Sequence, residues 1–505
     1  MNRLFIFLFV LFSAPVLVAQ TDSLKTRTLE PAAIQADFKY LRRLLEETHP
    51  GLYRYTPKAQ MQAKMDSVAG LLAQPMAFYT YYKLLAALIA DVRCAHTYTV
   101  PKKDIENFWL KEIQTLPFEM HQIGNRAYII INGTTDTFIK PGFELLAIDG
   151  QPMDTLMQHM ERHIWADGYN QTAKTNQITG FKFGLFHYLF VARPDTFSLT
   201  LRNLENRIVP VKVPALPMSV AYKQLYKNPV NKPILDLYMP RNKKDRKKPW
   251  RLEILDESHT ALLRIKGFDG GKNNEEAAKK MRAFMNGCVK KLEKQKSKNL
   301  IVDLRGNNGG WDSQGVELST FLMKDTAKYR YYQRQHSVTD SSEFLKFSDL
   351  SPEDRKNVKN ELQRESDGTF TLKIAEGSDW QRPKPNRFTD NVYFLVNGGS
   401  VSTTSEFTAI MHTHKAGVFI GDETGGAYEG GNGGSFVRLE LPNSKIHVGT
   451  PLGYYQLAVA ELKQKGRGTM PDYYVPHNIK DLLKGTDTQL NFALDLIRKQ
   501  AAFPK

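Results

Sequence analysis

The chain has little cysteine: two residues in 505, Cys94 and Cys288. That excludes a disulfide framework and a structural zinc site of four cysteines, and leaves room for at most one internal bridge. No His-Glu-x-x-His spacing is present, so no catalytic metal and no cofactor are expected. No Gly-Lys-Ser/Thr follows either glycine-rich loop, which removes the P-loop nucleotide binders. No zinc-finger spacing or RNA-binding aromatic motif accompanies the basic residues. Beyond the first twenty residues no apolar run approaches the ~20 residues that a spanning helix needs.

What is there belongs to a large folded protein. The length points to two or three domains, and 41% hydrophobic residues are enough for packed interiors. Lys and Arg number 69 against 53 Asp and Glu, a formal charge of +16. Most of that excess is scattered singly. The one dense run is Lys243, Lys244, Arg246, Lys247 and Lys248, and it reads as a solvated linker with no nucleic-acid partner. Residues 1–20 have Arg3, an apolar stretch from Leu4 to Leu17 broken by Ser13 and Pro15, and the small residue Ala19. This is the pattern of a signal peptide cut near Ala19 or Gln20. It predicts an exported protein, periplasmic or secreted, with no stable membrane insertion.

Over residues 21–104 the spacing predicts a helical cap. Ile34, Phe38, Leu41, Leu44 and Leu45 recur at helical intervals, as do Met61, Met65 and Val68, and then Phe78, Tyr82, Leu85 and Leu88. His49, in the turn before Pro50-Gly51, is expected to cap a helix end as a cation. Residues 105–215 alternate instead, with Asp149-Gly150 as a hairpin turn and a helix over Met153 to Trp165. Residues 216–250, rich in Pro, Lys and Asn, read as a basic linker. Residues 251–505 alternate strands and helices, which predicts an α/β domain built on a mixed sheet. Residues 325–390 are polar and weakly periodic and read as an insertion over that core.

Two strand-to-helix junctions can carry chemistry. In Asp303-Leu304-Arg305-Gly306-Asn307-Asn308-Gly309-Gly310 the glycines let backbone N–H groups converge on an anion or oxyanion. In Asn397-Gly398-Gly399-Ser400-Val401-Ser402-Thr403-Thr404-Ser405-Glu406 hydroxyls stand where a helix begins, beside the positive end of its dipole. Taken alone, either junction also reads as a phosphate-binding loop or an ordinary Ser/Thr helix cap, and the cap is the better reading for any one of these serines. Three serines, Ser400, Ser402 and Ser405, stay open as candidates.

The order DLRGNNGG, NGGSVSTTSEF, IGDETGG, GRGTMPDYYV resembles the tail-specific (C-terminal processing) serine protease family over nearly all of 251–480. PGFELLAIDG resembles the strand and hairpin of a PDZ-like module, and ETHPGLYRY with Cys94-Ala95-His96-Thr97 resembles the N-terminal region of secreted bacterial members. The resemblance implies a Clp-protease/crotonase-like core, with the helical cap and a PDZ-like β-rich domain added. It also implies that Ser402 is the nucleophile and that Thr403, with Gly309 or Gly310 and preferably Gly309, supplies the oxyanion N–H groups.

A serine hydroxyl needs a base at neutral pH. The lysine of the better-known branch is replaced here by Ala427. The tricorn-like branch takes a histidine from the N-terminal region, and His96 matches it. An imidazole can take and return a proton near neutrality. At the place of that branch's acidic residue stands Lys465, with Glu461 the expected substitute. The glycines of GGAYEGGNGG are expected to form a mobile loop near the site. The implied activity is an exported serine endopeptidase acting on peptides or proteins, and the PDZ-like unit would take a peptide as an added strand. A non-catalytic protein binding a peptide or an apolar ligand on the same fold is the alternative.

Overall fold

A computed structural model describes residues 22–238, 248–255, 259–366, 368–372 and 380–502. The leader expected over residues 1–20, and Lys243, Lys244, Arg246 and Lys247 of the basic run, lie outside the described residues.

The chain begins with three helices, α1 (Pro31–Thr48), α2 (Lys58–Gly70) and α3 (Phe78–Asp91). Pro31 sits in the first turn of α1, where a missing N–H costs no bond. The expected stripe, Ile34, Phe38, Leu41, Leu44 and Leu45, is buried. Strand β1 (Tyr98–Val100) then leaves these helices and joins a sheet of the C-terminal region.

A β-rich unit follows. Strands β2 (Phe118–Ile123), β3 (Arg126–Asn132), β4 (Glu144–Ile148), β5 (Thr196–Arg202) and β6 (Ile208–Pro214) form an antiparallel sheet in the order β6-β5-β4-β3-β2. The Asp149-Gly150 hairpin is present, with both residues at positive φ. Helix α4 (Met153–Glu161) stops short of Trp165, and a loop over 165–171 takes its place. Two helices that the alternation does not suggest come next, α5 (Thr172–Ile178) and α6 (Lys182–Phe190). All of α6 after Lys182 is buried, so it shows no one-sided period.

Residues 216–238 correct the linker reading. Met218–Lys227 is helix α7, and its Met218, Ala221 and Leu225 pack into a cluster with Tyr128 and Ile130 of β3. Asn231 is fully buried and exchanges bonds with the Asn132 backbone, accepting at 2.8 Å and donating at 2.7 Å. The Pro, Lys and Asn content masked a short apolar stripe.

In the C-terminal region the elements are β7 (Trp250–Leu255), β8 (Thr260–Ile265), α8 (Asn274–Lys294), β9 (Asn299–Asp303), α9 (Asp312–Leu322), β10 (Tyr332–Ser337), β11 (Asn391–Val396), α10 (Thr403–Thr413), β12 (Val418–Gly421), β13 (Asn432–Glu440), β14 (His447–Leu457), β15 (Tyr473–Tyr474) and α11 (Thr488–Ala502). The core sheet has the order β7-β8-β9-β11-β12-β15, parallel except for β7. Its strands alternate between two apolar layers. Leu300, Val302, Phe394 and Val396 face a cluster that includes Met281, Phe321 and Phe407 from α8, α9 and α10. Ile301, Tyr393 and Leu395 face Ala493 and Ile497 of α11. A sheet covered on both faces explains why these strands read as unbroken apolar runs. Helix α8 begins with the Asn273 side chain accepting the Glu276 N–H and ends with Lys291 and Lys294, each charge suited to its end of the dipole.

The architecture is thus the expected mixed α/β core with N-terminal helices and a β-rich unit. Residues 325–390 do more than cover it. Their strand β10 pairs with β14, which also pairs with β13 and with β1. The glycine run is likewise no loose loop: Tyr428 is buried with its hydroxyl bonded to His412 and Thr413, and β13 begins at Asn432. Cys94 and Cys288 are free and buried in separate cores, so they form no bridge.

Candidate active site

Ser402 stands at the turn between β11 and α10 in a strained conformation, φ 55° and ψ −133°. A serine rarely adopts positive φ, and such strain is typical of a side chain pushed out at a strand-to-helix turn. Although it precedes the helix, its side chain makes no capping bond. The two competing serines are occupied. The Ser400 hydroxyl donates to the Leu304 carbonyl at 2.9 Å and accepts from the Asn397 N–H, while Ser405 donates to the Ser402 carbonyl at 2.7 Å. Of the three, Ser402 alone lines a cavity of about 610 Å³, which it shares with His96.

The glycine-rich turn after β9 lies against this serine. A Cβ on Gly309 would come within 2.6 Å of the Ser402 Cβ and 3.0 Å of the Thr403 nitrogen. Gly309 has φ +92° and Gly310 +140°, values that suit glycine. Asn307, fully buried, shapes the turn by donating to the Ile265 carbonyl and accepting the Gly309 N–H, both at 3.0 Å. That bond occupies the donor expected to be preferred. Gly310 lines the cavity, and among the described residues neither its N–H nor that of Thr403 has a hydrogen-bond partner. The available pair of donors is therefore Thr403 and Gly310, which corrects the preference for Gly309.

His96 reaches the cavity because the segment that carries it is held on three sides. After it, β1 pairs with β14, and the Tyr98 ring lies so close to Gly449 that any Cβ there would collide with it. Behind it, Thr97 is bonded to His49 Nε2 at 2.7 Å. His49 Nδ1 accepts the Gly51 N–H at 3.0 Å, so Nε2 carries the proton and donates to Thr97. Burial holds the His49 pKa down to about 3. His49 is thus a neutral brace for the CAHT turn and not a cationic cap. Beside the turn, the Ala95 N–H donates to Asp167 Oδ1 at 2.8 Å. The His96 ring lies 5.8 Å from that of Phe436, and its buried Nδ1 has no partner among the described residues. Burial lowers the His96 pKa, and the Asp167 charge opposes that shift.

Glu461 is not brought to the site. Its side chain is 79% exposed and pairs with Lys465 at 3.1 Å, outside the residues that line the cavity. Counting back along the chain from GRGTMPD crosses an irregular segment, and spacing there does not report position. Four acids line the cavity, Asp269, Asp312, Glu361 and Glu406, of which Asp312 and Glu406 adjoin the Ser402 turn. Glu406 follows Ser402 by one helical turn and accepts from the Tyr332 hydroxyl at 2.6 Å. Asp312 accepts from Thr403 Oγ1 at 2.8 Å. Burial and the Asp312 charge push the Glu406 pKa up to about 8, and burial raises that of Asp312 as well. Glu406 stands one turn into the helix that Ser402 precedes, a spacing visible in STTSE. Nothing local to Asp167 in the chain signals its place.

Residues 259–475, which contain the core sheet apart from β7 together with the Ser402 turn, match the model of peptidase family S41. No curated protein matches the chain. Among solved structures, mature CPAF in complex with lactacystin is similar over 94% of this chain and 98% of its own, at 13% identity and a TM-score of 0.61. Mature CPAF by itself is similar over 94% and 97%, at 15% identity and a TM-score of 0.59. These likenesses are of fold. Residues 259–475 form a domain of peptidase family S41, the family of the tail-specific proteases, and the chain is a serine-type peptidase.

Proposed function

We propose that the chain is an exported serine endopeptidase of the Ser-His, tricorn-like kind. Ser402 attacks the carbonyl carbon of a peptide bond while His96 takes its proton. The oxyanion is held by the N–H groups of Thr403 and Gly310, aided by the positive end of α10. The imidazolium then protonates the leaving amine, and water, deprotonated by the same imidazole, releases the acyl group. The observation that carries this reading is that His96 and Ser402, from opposite ends of the chain, open onto one cavity. Ala427, where the other branch has lysine, is buried and offers no base.

The β-rich unit, read as a PDZ-like domain over residues 105–215, would receive an extended peptide and guide it to the cavity. A serine-directed fluorophosphonate tests the reading. The probe should label wild type at Ser402, and Ser402→Ala and His96→Ala should each abolish labelling and peptide hydrolysis without loss of folded protein. Silence in the wild type would favour the non-catalytic binding protein.

A further inference from the structure

The site has a serine, a base and two free N–H groups, but the acid expected to support the base lies elsewhere. Another carboxylate stands in its place. Asp167, 4% exposed, sits in the loop after α4, in the β-rich unit. Its Oδ1 accepts the N–H of Ala95, the residue before His96. Its Oδ2 faces the glycine run, where a Cβ on Gly431 would lie 3.3 Å away and one on Gly426 3.6 Å away. The glycines therefore leave room for a carboxylate at this point.

The loop itself is fastened on both sides. Gly168 donates to the Arg93 carbonyl at 2.9 Å and accepts from the Arg93 guanidinium, which also stacks on the Tyr169 ring. On the core side, Tyr169 donates to the Gly466 carbonyl at 2.7 Å and the Asn170 side chain donates to the Thr424 carbonyl at 2.5 Å. The loop that carries this buried acid is thus bonded to two other regions.

We propose that Asp167 is the positioning acid of the site, holding the His96 turn and steadying the imidazolium formed when Ser402 loses its proton. The proposal rests on the Ser402-His96 reading above. The groups whose charge acts on this carboxylate are known. Arg54, itself paired with Glu429, feels the Asp167 charge, while Cys94 and Tyr55 stay neutral and Glu406 is protonated near neutrality. On the other side His96 meets the Phe436 ring, with Arg438 stacked on that ring. Asp167 is the one charged group among those named that acts directly on the imidazole.

Asp167→Asn separates charge from architecture, because the amide oxygen can still accept the Ala95 N–H. The rate of fluorophosphonate labelling at Ser402, measured against pH, is the readout. The rate should fall about tenfold to a hundredfold at neutral pH, and its acidic limb should move about one pH unit lower, since a neighbouring negative charge raises an imidazole pKa by that order. Tyr169→Ala loosens the same loop without changing charge and should leave the limb where it is. An unchanged rate and limb in Asp167→Asn, or an equal displacement in Tyr169→Ala, would overturn the proposal. His96→Ala run alongside keeps the two readings apart. If it labels normally, the Ser-His reading fails. If it is silent while Asp167→Asn behaves as wild type, only the role of Asp167 fails.

Discussion

The ring of Tyr98 rests directly on Gly449, so closely that a methyl group at that position would occupy the space of the ring. The contact lies in the β1–β14 pairing, two residues past His96, which lines the cavity.

Gly449→Val therefore acts at a distance from the chemistry. It should displace Tyr98, tilt β1 and lower kcat/KM by about a hundredfold, the loss that a shift of roughly 1 Å produces in a catalytic group. The C-terminal core should stay folded, as read by the circular dichroism of the variant. Activity equal to wild type would show that β1 does not set the position of His96.

The pH profile should follow the burial of His96. A base must be neutral to accept a proton, and desolvation lowers this imidazole below its ordinary 6.5. The acidic limb of kcat/KM is expected below that value, so the enzyme should keep working in mildly acidic solution. A limb at or above 6.5 would contradict the environment described.

Glu406 predicts a pH-dependent stability. Its folded pKa, about 8, lies above the usual carboxylate value, so between the two the folded state binds more protons than the unfolded one. Stability from this group is then full in acid and is lost as pH rises toward 8. Glu406→Gln should remove that part of the slope, giving a smaller fall in melting temperature between pH 5 and pH 8 than in the wild type. An identical slope in the two proteins would count against the buried carboxylate pair.

Glu461→Gln serves as the opposite control. The side chain is exposed and its ion pair with Lys465 is a surface pair worth about 0–1 kcal/mol. Labelling of Ser402 should stay within about twofold of wild type. A large loss would return Glu461 to the site.

Much of this was legible in the residues. The buried strands at 299–303 and 391–396 show as unbroken apolar runs because both faces of the sheet are covered. The helix of Ile34 to Leu45 shows because one face meets a core and the other meets water. What failed had local causes. Helix α6 is apolar all round, α7 is hidden in a Lys- and Pro-rich stretch, and the chain between Glu461 and GRGTMPD is irregular, so spacing there does not report position. Asp167 could not be found by spacing, because only tertiary structure brings its loop beside His96. The Gly310 donor was open in the sequence, and it took the Asn307 side chain to show that the Gly309 N–H is already in use.

The pairing of β1 with β14 also sets an order of events during synthesis. Strand β1 leaves the ribosome early and β14 late, after Ser402 itself has been made. Until residues up to Leu457 have been made, the segment that carries His96 lacks its β14 partner, so the cavity it shares with Ser402 is completed only near the end of the chain.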